Sequence, residues 1–334
     1  MATNESKSSV VLRGTVRMLV VGIDIGGTKI AGALVTPTGE VRTRAACKTM
    51  ASEGAEAVMA RALQIAAELL NSCPGEVAGM GVASGGLIDP RTGVVIHATE
   101  LLPGWTGMEI AQVFEEHFGL PAKAINDASA AAVGEGRFGA ARGVDDFVLL
   151  TLGTGVGGGI FSGGRLLLGT QGVAGSIGHM VIDCDGRWCN CGSRGCLEAY
   201  VSGTAITDRA LQLADERGLD EPLIQAVRAD RNAGTQLIGK AASESNDLAI
   251  EIVREAGTYL GWGLANLVNL FNPAMIVIGG SVAEMGDLLL HPAREVVCKH
   301  SLRGEKDPVR IVKAQLGNDA GTVGAASLIW NPVV

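Results

Sequence analysis

The fold is decided by the stretch MLVVGIDIGGTKIAGALV, residues 18–35. An apolar, β-rich run from residue 18 to residue 25 breaks at Gly26-Gly27-Thr28 and resumes at residues 30–35. Two apolar runs joined by a glycine turn are typical of a β-hairpin. The sequence therefore predicts two antiparallel strands with a glycine tip.

Strands and helices alternate downstream of this hairpin. Periodicity predicts a strand over 41–48, a helix over 53–70, a buried strand over 77–82, helical structure over 204–244, a long helix over 248–271, a strand over 275–278 and a last helix from about residue 321. Such alternation predicts the α/β class.

A second stretch, FVLLTLGTGVGGGIFSGGRLLL at residues 147–168, repeats the plan about 127 residues later. A duplicated unit at this separation predicts two similar domains that face one another across a cleft. We expect a disordered leader at 1–17, a first domain at 18–130, and a second domain at 131–320 with a metal loop at 179–198.

Composition excludes several classes of protein. The chain has 334 residues, 47% of them apolar, 19% charged and 48 of them glycine, with a net charge of −8. The acidic balance argues against a nucleic-acid partner, and no apolar run predicts a signal peptide or a membrane span. Seven cysteines, an odd number, suggest thiols or metal ligands in a reducing compartment, so we expect a cytoplasmic protein.

Three glycine segments follow predicted strands and suit phosphate oxygens, because a glycine backbone can be approached closely. An ordinary hairpin tip remains an alternative for the first, and a strand end for the third. No GxxxxGK[ST] pattern occurs, so a P-loop is excluded. The candidate nucleotide-binding residues are Asp24, Gly26, Gly27, Thr28 and Lys29, then Gly153, Thr154, Gly155, Gly157 and Gly158, then Gly279 and Gly280. Asp24 is a candidate ligand of hydrated Mg²⁺.

Asn126 and Asp127 stand between a strand-like segment and a helix of small residues. A carboxylate in such a place can accept a hydroxyl proton during phosphoryl transfer, which makes Asp127 the candidate catalytic base. The alternative is that Asn126 or Asp127 only caps the helix that follows.

A Zn²⁺ site is predicted by the spacing H-x9-C-x-C-x4-C, formed by His179, Cys189, Cys191 and Cys196. One imidazole and three thiolates match a four-coordinate structural site. Glu198 follows the last of these cysteines by two residues. A fixed carboxylate and imidazole beside Asp127 suit a polyhydroxy substrate, for which a sugar is the expected class.

These motifs resemble the ROK family, which comprises bacterial sugar kinases and sugar-sensing repressors of the hexokinase/actin-like ATPase superfamily. The most specific match is Gly178-His179 followed by CNCGSRGCLE at residues 189–198. The resemblance implies a two-domain actin-like ATPase (ribonuclease H-like) fold, with a sugar bound by Asn126, Asp127, His179 and Glu198. It further implies that a C-terminal helix at 321–334 completes the smaller domain at 18–130, and that ATP binds on the larger domain at 131–320.

Three positions depart from the pattern of glucose-phosphorylating members. Ser176 stands where the family motif E-x-G-H usually has Glu. Gly85-Gly86 stands where a Pro-Gly pair is common, and Thr99-Glu100 stands near a position where Asn is frequent. A hydrogen bond to a charged group is worth about 1.5 to 3 kcal/mol, so loss of the Glu weakens the expectation of glucose. We therefore expect an ATP-dependent hexokinase acting on glucose at C6, with an N-acetylhexosamine as the alternative substrate and Ser176 as a substrate-binding residue.

A second class of function is a non-catalytic sugar-sensing repressor. It is disfavoured because only about 17 residues precede the first predicted strand and basic residues are few. Polyphosphate is disfavoured as the phosphoryl donor because no basic track is evident. By resemblance we expect a homo-oligomer, with a dimer as the default.

Overall fold

The computed structural model of the chain describes residues 19–74, 77–99 and 101–333. Over that part the chain forms a mixed α/β fold around two five-stranded sheets. The predicted leader at 1–17 lies outside the described residues. Within the described ranges, none of the helices is both long and apolar enough to cross a membrane.

Most strands are buried, apolar and rich in β-branched residues, as the alternating pattern predicted. In chain order they are β1 (Leu19–Ile25), β2 (Lys29–Val35), β3 (Val41–Lys48), β4 (Val77–Ser84), β5 (Leu87–Asp89), β6 (Val94–His97), β7 (Ala122–Asn126), β8 (Phe147–Leu152), β9 (Val156–Ser162), β10 (Arg165–Leu166), β11 (Met275–Gly279) and β12 (Arg310–Lys313). The helices are α1 (Ala55–Ser72), α2 (Ile110–Phe118), α3 (Asp127–Phe138), α4 (Glu198–Val201), α5 (Gly203–Arg217), α6 (Pro222–Ala229), α7 (Gly234–Ser243), α8 (Asp247–Phe271), α9 (Asp287–His300) and α10 (Ala320–Trp330).

The two large sheets have the same topology. The first runs β3-β2-β1-β4-β7 and the second β10-β9-β8-β11-β12. In each, three antiparallel strands are followed by two parallel ones. The repeat read from the sequence is therefore a repeat of structure, with β1–β2 equivalent to β8–β9. Strands β5 and β6 form a separate two-stranded ribbon.

Helices α3 and α10 fill the space between the two sheets. Helix α10 packs on β1 and β4, helix α3 packs on β8 and β9, and the two helices pack on one another. Small residues make this possible: a Cβ on Gly81 would lie 1.8 Å from the carbonyl oxygen of Ala325, and a Cβ on Gly324 would lie 1.7 Å from that of Ala130. The backbones thus approach to distances that a side chain would forbid.

Several boundaries differ from those predicted. Helix α1 begins at Ala55 because Gly54, at φ 91°, separates it from a 3₁₀ turn over Ala51–Glu53. The polar helical region divides into α5, α6 and α7. The predicted domain boundary at residue 130 falls inside α3, which is continuous from Asp127 to Phe138.

Candidate active site

The carboxyl ends of β1, β4 and β7 meet at one edge of the first sheet. In the strand register Ile25 pairs with Ser84, and Ser84 pairs with Asn126. Ligands of open α/β sheets bind outside the carboxyl ends of the strands. The candidate residues Asp24 and Asp127, which the sequence separates by about a hundred positions, are therefore neighbours.

Asp24 lies near the end of β1, beside the first turn of α10. A Cβ built on Gly321 would stand 2.3 Å from Asp24 Oδ2, so a glycine is required there. Burial, and next the charge of Asp127, raise the pKa of the Asp24 carboxyl to about 7, while Lys29 acts in the opposite direction. Two neighbouring acidic groups of this kind can bind a cation, which would offset their repulsion.

The first glycine turn, Gly26 to Thr28, is held by residues on both sides. The Gly26 N–H donates to the carbonyl of Lys29 at 3.0 Å. Thr49 donates its hydroxyl to the Gly26 carbonyl at 2.6 Å and its N–H to the Thr28 carbonyl at 3.0 Å. The side chains of Thr28 and Lys29 are exposed at the tip. Hydrogen bonds from the protein thus hold the inner side of the turn, and its outer side is exposed.

Asn126 is the N-cap of α3, since its Oδ1 accepts from the Ser129 N–H at 3.1 Å. Its Nδ2 donates to the Gly86 carbonyl and to Asp127 Oδ1, both at 2.9 Å. Both amide protons are therefore used within the protein, and a sugar could reach only the remaining lone pair of Oδ1. Asn126 thus caps α3, and it also orients Asp127.

Asp127 is the first residue of α3, and its two oxygens differ. Oδ1 accepts from the Ala128 N–H at 2.7 Å and from Asn126. Oδ2 faces Gly85, whose built Cβ would stand 4.0 Å away. Burial raises the pKa of this carboxyl, and the hydrogen bonds to Oδ1 oppose the rise. One oxygen is fixed and the other is left to take a proton, as a general base requires.

The second glycine turn covers Gly153 to Gly155 between β8 and β9. The Gly153 N–H donates to the Gly155 carbonyl at 2.9 Å. Within the described residues, the N–H groups of Thr154 and Gly155 donate to no protein acceptor. Two adjacent free backbone donors of this kind suit phosphate oxygens.

The turn is shorter than the glycine segment in the sequence, because Gly157, Gly158 and Gly159 lie within β9. A Cβ on Gly157 would stand 2.5 Å from that of Ala128, and one on Gly158 would stand 2.5 Å from Ile177 Cδ1. These glycines let α3 and the segment around Ile177 lie directly on the strand. Their small size thus has a packing reason.

Gly279 and Gly280 end β11 beside β8, where Gly279 pairs with Thr151. Gly280 has φ 86°, and a Cβ there would lie 2.2 Å from the carbonyl oxygen of Leu152. The pair therefore stands at the same edge of the second sheet as the turn that begins at Gly153.

The four predicted metal ligands converge. One donor atom from each of His179, Cys189, Cys191 and Cys196 lies within 4.8 Å of all the others. Cys191 and Cys196 have their sulfurs 3.7 Å apart, and Cys189 Sγ stands 3.8 Å from His179 Nδ1. A tetrahedral site with Zn–S bonds of about 2.3 Å spaces its ligands by about 3.7 Å, so the donor set fits Zn²⁺. Burial raises the pKa of the thiols of Cys189 and Cys196, a cost that a bound cation would offset.

His179, which belongs to this cluster, is one of three candidate substrate ligands in this part of the chain, with Glu198 and Ser176. His179 is exposed and turns Nδ1 to Cys189, which leaves Nε2 for another partner. Glu198 Oε2 accepts from the Val156 N–H at 2.8 Å, and a Cβ on Gly155 would lie 2.6 Å from that oxygen. The exposed Ser176 donates its hydroxyl to the Val173 carbonyl at 2.8 Å, so a ligand would find it only as an acceptor.

Two residues at the site were not found from the sequence. Thr49 supports the first glycine turn because antiparallel pairing places Lys48 beside Lys29. Thr204 donates its hydroxyl to the Thr154 carbonyl at 3.0 Å. Position directly after a strand was a weak signal for Thr49. No signal existed for Thr204, which is 50 residues away in the chain.

Two sheets of one topology, with glycine turns at their carboxyl edges and two acidic groups at the edge of the first sheet, define a two-domain ATPase of the actin-like class. The chain belongs to the ROK family, whose model matches residues 20–331. A glucokinase of Halalkalibacterium halodurans is 37% identical over 92% of this chain and 94% of its own. The crystal structure of a ROK family glucokinase from Streptomyces griseus in complex with glucose and AMPPNP is 36% identical, with a TM-score of 0.80 over 93% of this chain and 98% of that one.

Relatives with other functions align as fully with this chain. An N-acetylmannosamine kinase of Escherichia fergusonii is 33% identical over 93% of this chain and 98% of its own. A putative xylose repressor of a Caldicellulosiruptor species is 30% identical over 93% of this chain and 78% of its own.

Proposed function

We propose that this protein is an ATP-dependent sugar kinase that phosphorylates a hexose at the C6 hydroxyl, with glucose as the first substrate. The observation that carries the proposal is the state of Asp127. Within the described residues, the bonds from Ala128 and Asn126 both go to Oδ1 and Oδ2 has no such partner, at the edge of the first sheet where Asp24 and the first glycine turn also lie. The glucokinase relatives and the solved glucose and AMPPNP complex support the same activity.

In the proposed reaction Asp127 Oδ2 takes the proton of the C6 hydroxyl. The sugar oxygen then forms a bond to the γ-phosphorus while the bond from that phosphorus to the β,γ-bridging oxygen breaks, and ADP leaves. The free N–H groups of Thr154 and Gly155 hold phosphate oxygens, and Gly279-Gly280 lies beside the nucleotide. Mg²⁺, when bound, supplies positive charge to the phosphates, and Asp24 is the residue placed to hold its water shell. Thr28 and Lys29 can reach the terminal phosphate from the opposite turn.

The sugar is held, in this proposal, by His179 Nε2, by the carboxylate of Glu198 and by the remaining lone pair of Asn126. His179 and the three cysteines hold a structural Zn²⁺, which fixes the position of His179. Because the Asn126 amide protons are already used, its main task is to orient Asp127. A repressor, like the putative xylose repressor among the relatives, would not need a carboxylate oxygen that can take a proton, and we therefore favour the kinase.

The test is release of ADP from ATP in the presence of glucose, mannose, fructose, N-acetylglucosamine and N-acetylmannosamine, each at several concentrations. We expect sugar-dependent release, with phosphate recovered on the sugar and the highest kcat/KM for glucose. If none of these sugars stimulates ADP release, the proposal is wrong.

An N-acetylhexosamine is the second candidate, and Ser176 favours it. The short uncharged side chain leaves space and removes a charged acceptor where glucose-phosphorylating members carry Glu. The variant Ser176→Glu separates the candidates. For a glucose enzyme it should lower the KM for glucose through a charge-assisted hydrogen bond, by about 10-fold. For an N-acetylhexosamine enzyme it should raise the KM by crowding the acetamido group.

A further inference from the structure

A segment that begins two residues after Cys196, the last candidate metal ligand, contacts the second glycine turn. This segment, residues 198–204, comprises the one-turn helix α4 and the start of α5, and we call it the brace. It makes three polar contacts with residues 153–156. Glu198 Oε2 accepts from the Val156 N–H at 2.8 Å. The Gly203 N–H donates to the Gly153 carbonyl at 2.7 Å, and the Thr204 hydroxyl donates to the Thr154 carbonyl at 3.0 Å.

These contacts leave the outer side of the turn free. The brace uses the carbonyls of Gly153 and Thr154 and the N–H of Val156. It does not use the N–H groups of Thr154 and Gly155, which in the described part of the chain have no protein acceptor. A peptide plane whose carbonyl is held has its N–H direction fixed as well, because the plane is rigid. The bond from Thr204 to the Thr154 carbonyl therefore sets the direction of the Gly155 N–H.

The brace is itself anchored to the body of the second half of the chain. The Gly203 carbonyl accepts from the hydroxyls of Thr207, at 2.9 Å, and Thr235, at 2.7 Å. Ser202 caps α5 by accepting from the Ala205 N–H at 3.1 Å. Gly203 is buried, and a Cβ there would stand 2.8 Å from Thr235 Oγ1. The brace can thus hold the turn in place, whereas a freely moving loop could not.

We propose that Thr204 is a positioning residue for the phosphoryl donor, acting through the Thr154 carbonyl on the N–H group of Gly155 in the second glycine turn. The inference rests on the proposed function, since it takes that turn to bind the phosphates of ATP. Thr204 is exposed at the wall of a cavity of about 250 Å³ between α5 and the metal loop, so its side chain can be changed without disturbing the core.

The experiment compares Thr204→Val, which keeps the shape and removes the hydroxyl, with Thr204→Ser, which keeps the hydroxyl. Thr258→Val is the matched control, because the Thr258 hydroxyl also donates to a backbone carbonyl, that of Arg254 at 2.9 Å, but within α8. For each protein we would measure the KM values for ATP and sugar, kcat, the melting temperature and the affinity for AMPPNP by calorimetry.

For Thr204→Val we expect a rise of about 3- to 10-fold in the KM for ATP and in the dissociation constant of AMPPNP, the size of one neutral hydrogen bond. The KM for sugar and the melting temperature should stay near those of the wild type, and Thr204→Ser and Thr258→Val should behave like the wild type. Equal AMPPNP affinity for wild type and Thr204→Val would overturn the inference. A wild-type protein that fails to bind AMPPNP would instead contradict the proposed function.

Discussion

At the residue scale, the site depends on how differently two neighbouring carboxylates are held. Asp127 has one oxygen bound by α3 and by Asn126, and burial raises its pKa. Asp24 lies under α10, and the burial of its carboxyl together with the charge of Asp127 raises its pKa to about 7. Pairs of acids with perturbed pKa values are characteristic of catalytic and cation-binding sites.

The base assignment predicts that Asp127→Asn lowers kcat by about 10² to 10⁴-fold, because the amide cannot accept the hydroxyl proton. The fold and the affinity for sugar should be kept, since the amide has the same shape. Steady-state kinetics and calorimetric sugar binding measure the two effects. If kcat of the variant stayed within a few fold of the wild-type value, Asp127 would only stabilise the start of α3 and would not be the base.

The raised pKa of Asp24 predicts a pH-dependent loss of stability in the nucleotide-free protein. Below about pH 4 the carboxyl is protonated in both the folded and the unfolded chain, so it does not lower the free energy of unfolding. Between about pH 4 and 7 the unfolded chain releases the proton while the folded chain keeps it, so stability falls as pH rises, and above pH 7 the full cost is present.

Asp24→Asn should therefore raise the melting temperature more at pH 8 than at pH 5, while it lowers activity with Mg²⁺ and ATP. Asp220→Asn, at an exposed carboxylate, is the control and should show no such difference. An equal gain at both pH values would contradict the assignment of a buried charge to Asp24.

At the element scale, the loop that carries the cysteines is joined to the second glycine turn by a hydrogen bond. Glu198 is the first residue of α4, two positions after Cys196, and its carboxylate receives the Val156 N–H. We therefore expect the order of the loop that carries the cysteines to affect the order of the turn.

Removal of the metal should affect both the loop that carries the cysteines and the second glycine turn. We expect about one Zn²⁺ per chain by elemental analysis, and a lower melting temperature for Cys191→Ser, because a structural site contributes directly to folding. Amide hydrogen exchange at Val156 should be faster in that variant and in chelator-treated protein. Cys298→Ser, at a thiol outside the cluster, is the control. Full stability with no bound metal would refute the zinc assignment.

At the scale of the whole molecule, two helices of small residues decide how the two sheets are arranged. Helix α3 carries Asp127 at its first position, and the first turn of α10 covers Asp24. Because the two helices touch along their backbones, the two acidic groups are set in place by one contact between the halves of the protein.

This contact predicts a large effect from a very small change, Gly324→Ala. The added Cβ would stand 1.7 Å from the Ala130 carbonyl oxygen, so the helices must separate, at a cost of about 1 to 3 kcal/mol. Gly239→Ala in α7 is the control, because its Cβ would meet only the flexible side chain of Met285 at 3.2 Å. Urea unfolding measures both variants, and equal stability for Gly324→Ala and wild type would rule out the close approach.

Much of this protein is determined by local sequence. The apolar runs and glycine turns locate β1, β2, β8 and β9, because alternation of strand and turn is written in neighbouring residues. The spacing of one histidine and three cysteines likewise predicts a cluster whose donor atoms converge, because a metal loop of this kind is closed over a short piece of chain.

The other features of the site depend on residues far apart in the chain, so only the tertiary structure determines them. Gly157 and Gly158 look like part of a phosphate loop in the sequence, and only contact with Ala128 and Ile177 reveals them as strand residues that make room for their neighbours. The pairing of Asp24 with Asp127 and the bond from Thr204 to Thr154 are equally invisible in sequence. Burial, backbone approach and long-range hydrogen bonds exist only once the sheets and helices are packed together.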